Sequence, residues 1–345
     1  MRSRILPIVL LLIIITLVGF SNYRNKRSRL PLVDPIPVSN SASMSEKLTA
    51  IDHWLSRHSK ERKFNGAILV SKNHKPDLMK TYGYEDLARE KPLTYQSSFR
   101  LGSVSKQFTA MAVMILNKQV KLKYDDPVQK YLPSFPYNDV TIRHLLTHTS
   151  GIADYMELAL KEYFSLFAKI EFYMNQSMVN LFYKGEPSEY KDHYTVLSSS
   201  DVLNMVSKYS EKRLFSAGEK YLYSNTGYVI LSLVVEAISG KTFESFLDHE
   251  IFIPLKMENS CFWNLFTKPG KLSNRVQGTN GNRLNDYSWM DGVSGDGCVF
   301  LSIQDFLKWD NALKNNSLIP KSNFDEALSP YVSSKGDTTF YGFGW

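Results

Sequence analysis

Two short clusters in this 345-residue chain pair side chains whose chemistry is complementary. Ser103-Val-Ser-Lys106 places a hydroxyl and an amine three residues apart, which on a helix puts them on one face within reach of each other. A helix N-terminus adds a partial positive charge where an alkoxide, and then an oxyanion, would form. A lysine withdrawn from water can then accept the serine proton and leave an oxygen nucleophile. Tyr223-Ser-Asn225 offers the second set: a phenol able to shuttle a proton, and an amide able to hold a substrate carbonyl. Neither spacing proves anything alone. Ser188-Glu-Tyr-Lys191 repeats the first, and Tyr23-Arg-Asn25 and Tyr173-Met-Asn175 repeat the second. An isolated Ser103 is most simply a helix N-cap, with Lys106 a solvated first-turn lysine.

The elements around each cluster separate the copies. From Ser103 to Val120 the residues Val104, Phe108, Ala110 to Leu116 leave almost no polar face, which predicts a helix buried on all sides. Tyr223-Ser-Asn225 precedes Thr226 to Ser239, a second apolar helix with Gly240 as its natural stop. Ser188 lies in a polar segment marked by Pro187, Tyr23 in a polar tether, and Tyr173 in an aromatic stripe that runs from Tyr155 to Tyr194. Elsewhere, helical spacing starts near Ser45 (Leu48, Ile51, Trp54, Leu55). Residues 66–70 read as a strand and pair in a hairpin with 78–84. Strand character returns from Gly295 to Leu301, and Ile303 to Leu313 is an amphipathic helix. Strands, then helices, then strands again predict an α/β (α+β) fold, an antiparallel sheet flanked by helices with an inserted all-helical lobe. The helical lobe is expected over about 120–290, and the sheet lobe over 45–119 and 291–345.

Composition excludes other classes. A formal charge of +7 invites a nucleic-acid reading, but Arg2, Arg4, Arg24, Lys26, Arg27 and Arg29 precede the first acid, Asp34. The remainder carries only about +1, too little for a nucleic-acid groove. Arg2 and Arg4 followed by the apolar run Ile5 to Phe20 have the layout of an export signal over 1–21, with Gly19 and Ser21 as a small-x-small cleavage pattern. As a helix that run spans about 24 Å against a bilayer core of about 30 Å, so a cleaved signal and an uncleaved membrane anchor both remain open. Either one sends the body to the periplasm or another extracytoplasmic space. Residues 22–44, with Pro31, Pro35 and Pro37, read as a tether. Cys261 and Cys298 form no metal spacing and allow a disulfide without demanding one; two buried thiols are expected.

Taken together, Phe99-Arg-Leu-Gly-Ser103-Val-Ser-Lys106-Gln-Phe-Thr-Ala110 resembles the first motif of the serine β-lactamase-related family, which includes class C β-lactamases, penicillin-binding proteins, D-aminopeptidases and esterases. Asp126 to Pro133 and Thr141 to Gly151 resemble its helical-lobe segments, and Tyr221 to Tyr228 its second motif. Gly295-Asp-Gly297, Ser302 to Asp305 and Tyr341 to Trp345 resemble its later ones. The resemblance covers about residues 45–345 and implies a cofactor-free serine acyl-hydrolase. Its substrate would be a small molecule or a cell-wall peptide: a β-lactam, a D-Ala-containing peptide or an ester. It implies Ser103 as the acylated nucleophile, Lys106 as its proton acceptor, Tyr223 as the acid/base partner and Asn225 as a substrate-amide contact. His148 is implied to be structural, and no G-x-S-x-G elbow supports a triad. The family's third motif, Lys or His followed by x-Gly, has no match before Trp345, and Lys335-Gly336 is no substitute; the expectation is a chain short of its C-terminal end. A non-catalytic peptidoglycan-binding or scaffold protein of the same fold is the alternative.

Overall fold

The computed structural model describes residues 36, 38–72, 75–86, 88–162, 196–266, 273–280, 283, 284 and 286–345. The signal or anchor, Tyr23 to Asn25, Tyr173 to Asn175, Ser188 to Lys191 and most of the aromatic stripe lie outside those residues. No helix among the described residues is long and apolar enough to cross a membrane. The chain divides into two compact units, 1–57 and 58–345. Helix α1 (Met44–Lys60), whose last three residues fall in the second unit, begins at a reciprocal cap. Glu46 Oε2 accepts from the Ser43 N–H at 2.7 Å, and the Glu46 N–H donates to Ser43 Oγ at 3.3 Å.

The second unit opens with the antiparallel hairpin β1 (Gly66–Lys72) and β2 (Lys75–Tyr82). Strand β3 (Ser98–Arg100) then leads through a 3₁₀ turn, Gly102–Ser105, into α2 (Lys106–Lys118). Among the described residues the helices α3 (Ile142–Leu146), α4 (Tyr155–Glu162), α5 (Ser199–Lys208) and α6 (Asn225–Ser239) follow. After α7 (Phe243–Leu247) come the short strands β4 (Cys261–Phe262), β5 (Thr279–Asn280) and β6 (Arg283–Leu284). The described chain closes with β7 (Val299–Ser302), α8 (Ile303–Lys314), α9 (Lys321–Leu328) and the pair β8 (Tyr331–Val332) and β9 (Thr338–Thr339). The fold is thus mixed α and β, its helices set around small antiparallel sheets, of which one has the order β3-β7-β4.

Helix α2 is the centre of the core. Every residue from Lys106 to Leu116 except Gln107 is buried, because α6, α7 and the segment beyond them enclose it. Phe108 stacks on Trp309 of α8 with ring centroids 4.4 Å apart. The α-helix starts at Lys106 and not at Ser103. Gly102 adopts a left-handed φ of +55° and turns the chain sharply out of β3, so the first residues wind as a tighter 3₁₀ turn. Helix α6 stops where the sequence indicates, at Gly240 with φ +67°. Cys261 and Cys298 are both buried, and no disulfide joins them.

The loop before β7 comes against α2 and α6 with no room for a side chain. Thr109 Oγ1 donates to the Gly295 carbonyl at 2.6 Å, and a Cβ on Gly295 (φ +102°) would lie 2.2 Å from the Tyr228 carbonyl oxygen. Gly295→Ala therefore has to displace backbone as well as strain it, and should lower unfolding stability by about 2 kcal/mol or more. Urea unfolding of the variant with an unchanged midpoint would contradict this close packing.

Candidate active site

The 3₁₀ turn that carries Ser103 is tied to the sheet. The Leu101 N–H donates to the Val299 carbonyl at 2.9 Å, and the Val299 N–H donates to Ser105 Oγ at 3.1 Å. Beneath β3, Arg100 donates to Asp291 at 2.6 Å, and Arg275 pairs with Asp286 at 2.8 Å among Trp263 and Phe300. Asp291, Asp286 and Arg275 are themselves buried, so these pairs fix the sheet edge from which the turn departs. Ser103 faces solvent. Lys106, one turn on, is 0% exposed.

The Lys106 amine has three oxygen partners. Its Nζ lies 2.8 Å from Asn225 Oδ1, 2.9 Å from the Asp296 carbonyl and 3.4 Å from Ser103 Oγ. The first two only accept hydrogen bonds; the hydroxyl can also donate. Tyr223 completes the group, with Nζ 5.1 Å from its ring centroid, while Tyr228 lies at 5.5 Å on the same cation. The other three side chains singled out in the sequence, Ser103, Tyr223 and Asn225, therefore converge on the Lys106 nitrogen. Lys335 is elsewhere, bonded to Glu219 at 2.5 Å on the surface.

Two carboxylates stand behind that nitrogen. Asp154 Oδ2 accepts from both the Asn225 N–H (2.8 Å) and Asn225 Nδ2 (3.1 Å). Asp296 is buried, and its Oδ2 accepts from the Tyr155 hydroxyl at 3.0 Å. Burial pushes the Asp296 carboxyl up to about 6, opposed by the charge of Lys106 and the Tyr155 hydrogen bond. The same burial, with Asp296 beside it, carries Tyr155 well above the usual phenol range. Sequence reasoning singled out neither acid. Asp154 follows the Thr141 to Gly151 segment by three residues, and Asp296 sits inside Gly295-Asp-Gly297, so both were within reach of motif reading but carried no periodic signal.

His148 forms the aromatic wall. Its ring centroid lies 4.3 Å from that of Tyr223, 4.5 Å from Tyr341 and 5.1 Å from Tyr228. Its Nδ1 accepts from the Ser224 N–H at 3.2 Å, and its Nε2 has no hydrogen-bond partner among the described residues. This is the geometry of a packing residue that steadies Tyr223, not of a triad base. Burial first, and the Lys106 charge second, lower its imidazole to about 3. Below the ordinary value of 6.5 the unfolded chain takes up a proton that the folded imidazole refuses, so stability falls as pH drops from 6.5 towards 3. His148 holds φ +57°, which asparagine tolerates, so His148→Asn should fold. The stability gap between wild type and His148→Asn, read by urea unfolding at pH 7, 5 and 4, should close by about 1.4 kcal/mol per pH unit below that onset. A gap that stays constant across pH would contradict a neutral, buried imidazole.

Known proteins share this arrangement of elements. Residues 51–345 match the family model described as Beta-lactamase. The penicillin-binding protein 4* of Bacillus subtilis (strain 168) is 30% identical over 298 residues, which cover 83% of this chain and 60% of that protein. The chain thus spans less than two thirds of that relative's length. A teichoic acid D-alanine hydrolase of Staphylococcus aureus (strain MRSA252) is 25% identical over 223 residues, 64% of this chain and 46% of its own. Among solved structures, a penicillin-binding protein from Bacillus halodurans superposes with a TM-score of 0.64 at 26% identity, covering 84% of this chain and 82% of that one. With a family model matched over most of its length and the same fold in a solved relative, the chain belongs to the Beta-lactamase family, among penicillin-binding protein homologues.

Proposed function

We propose that the protein is a serine acyl-hydrolase that forms an acyl-enzyme on Ser103. One observation carries the reading: a buried Lys106 amine whose two nearest partners, Asn225 Oδ1 and the Asp296 carbonyl, are pure acceptors. When the amine is neutral its two N–H bonds point to those acceptors, and its lone pair is left for Ser103 Oγ. At 3.4 Å this contact is long for a hydrogen bond, as contacts of a catalytic base often are before substrate binds.

The chemistry then runs in two balanced halves. Ser103 Oγ passes its proton to Lys106 Nζ and bonds to the substrate carbonyl carbon. The bond from that carbon to the leaving nitrogen or oxygen breaks, and the proton reaches the leaving group through Lys106 and Tyr223. Water next attacks the ester, the carbon–Oγ bond breaks, and Ser103 regains a proton. Tyr223 is suited to the relay because it is 37% exposed, so its ring rests on His148 while its edge meets solvent. Asn225 serves as the substrate-amide contact. The substrate class is a β-lactam, a D-alanyl peptide or an ester. Relatives named as a penicillin-binding protein and a teichoic acid D-alanine hydrolase support this range. Arg2, Arg4 and the apolar run after them support export of the site from the cytoplasm.

Labelling of the protein with fluorescent penicillin tests the reading. Ser103→Ala should abolish the label, Lys106→Ala should slow it about a thousandfold, and Tyr223→Phe about a hundredfold. Folded wild type that takes neither this label nor nitrocefin or D-alanyl ester turnover would sink it, as would a label that survives Ser103→Ala.

A further inference from the structure

One carboxylate in this molecule serves two helices at once. Asp154 precedes α4, and its Oδ1 accepts from the Met156 N–H at 3.0 Å, while its backbone carbonyl accepts from Glu157 and Leu158. Its other oxygen, Oδ2, accepts from the N–H of Asn225, the first residue of α6, at 2.8 Å. Ser224, at the N-cap of α6, offers no side-chain cap, so Asp154 supplies from another element what the local sequence does not. Two helix N-termini, each bearing partial positive charge, thus bracket one acid and hold it in place. The same Oδ2 takes Asn225 Nδ2 at 3.1 Å. An amide whose nitrogen is committed to a carboxylate can offer only its oxygen in the other direction. That oxygen is the atom 2.8 Å from Lys106 Nζ.

We propose that Asp154 is a positioning residue for Lys106, acting through Asn225. Its doubly capped carboxylate fixes which way the Asn225 amide faces and stabilises the positive charge that Lys106 acquires on taking the Ser103 proton. The role parallels the buried aspartate that orients a catalytic histidine and stabilises its cation. A free amide would flip and turn its N–H groups towards the amine, repelling the ammonium and releasing Nζ from its direction towards Ser103. Asp296 is not redundant with it: Lys106 meets the Asp296 backbone carbonyl, whereas its carboxylate is engaged by Tyr155. The inference rests on the acyl-enzyme reading and adds to it a residue that touches neither substrate nor Ser103.

The test is a double-mutant cycle on the rate of fluorescent penicillin labelling, with thermal melting of every variant. Asp154→Ala should slow labelling about tenfold or more in the wild-type background, with the saturation constant little changed. In the Asn225→Ala background the same change should cost less than about twofold, because there is no amide left to orient. A purely structural cap would lower the melting temperature and the rate in both backgrounds alike. Asp154→Asn, which keeps an acceptor oxygen, should recover part of the rate lost in Asp154→Ala. If Asp154→Ala does not fold, Asp154→Asn takes its place in the cycle, and a rate loss that vanishes in the Asn225→Ala background supports the proposal. Losses that multiply in the double variant, or an Asp154→Ala or Asp154→Asn protein that labels at the wild-type rate, overturn it. Wild type that does not label at all sinks the acyl-enzyme reading first, and this inference with it.

Discussion

A single buried amine organises this molecule. Taking a lysine side chain wholly out of water costs several kcal/mol unless its hydrogens find partners. Here the amine meets an amide oxygen, a backbone carbonyl and a hydroxyl, each from a different segment, with two tyrosine rings on the remaining sides. Each segment is in turn held by something else. The 3₁₀ turn hangs from Val299, the Asp296 loop from Thr109, and Asn225 from Asp154. Even the backbone of Lys106 is packed without slack, since a Cβ on Gly344 would lie 2.9 Å from the Lys106 carbonyl oxygen. A polar group that is costly to bury thereby becomes a test of register: the surrounding segments satisfy it in one arrangement, and slippage of any of them leaves it unpaired.

The aromatic wall adds rigidity of a different sort. His148, Tyr223, Tyr228 and Tyr341 pack ring to ring at centroid separations of 4.3 to 6.3 Å. Such contacts define a phenol's position without consuming its hydroxyl, which a hydrogen-bonded cage would do. Tyr223 therefore keeps a free edge while its ring is fixed, whereas the buried Tyr228 hydroxyl is committed to the Leu146 carbonyl. Two tyrosines five residues apart are thus put to opposite uses by their surroundings.

Much of this was legible in the sequence, and the limits have a physical reason. Apolar runs announced α2 and α6, and Gly240 announced the stop of α6, because burial and chain reversal restrict residue type at every position involved. That Ser103, Lys106, Tyr223 and Asn225 come together was legible, because they flank those helices in recognisable clusters. The start of α2 was misplaced by three residues, since a 3₁₀ turn and the first turn of an α-helix use the same residues and differ only in tightness. The approach of Asp154 and Asp296 to this cluster was not legible. Their contacts with it are hydrogen bonds between segments 71 to 190 residues apart, one of them through the Asp296 backbone carbonyl, and a loop residue looks the same in sequence whether it meets water or another segment.

Those long separations have a consequence for when the proposed site is assembled. Ser103 and Lys106 are neighbours from the moment the chain is made, but Asn225 lies 119 residues on and the Asp296 carbonyl 190. Loop-closure entropy makes contacts of such span among the last to form. Until both distant segments dock, the amine stays solvated and undirected, and the hydroxyl beside it is an ordinary alcohol. If Ser103 is the nucleophile proposed above, a nascent or partly folded chain is chemically silent, and the late contacts that enclose Lys106 are what switch it on.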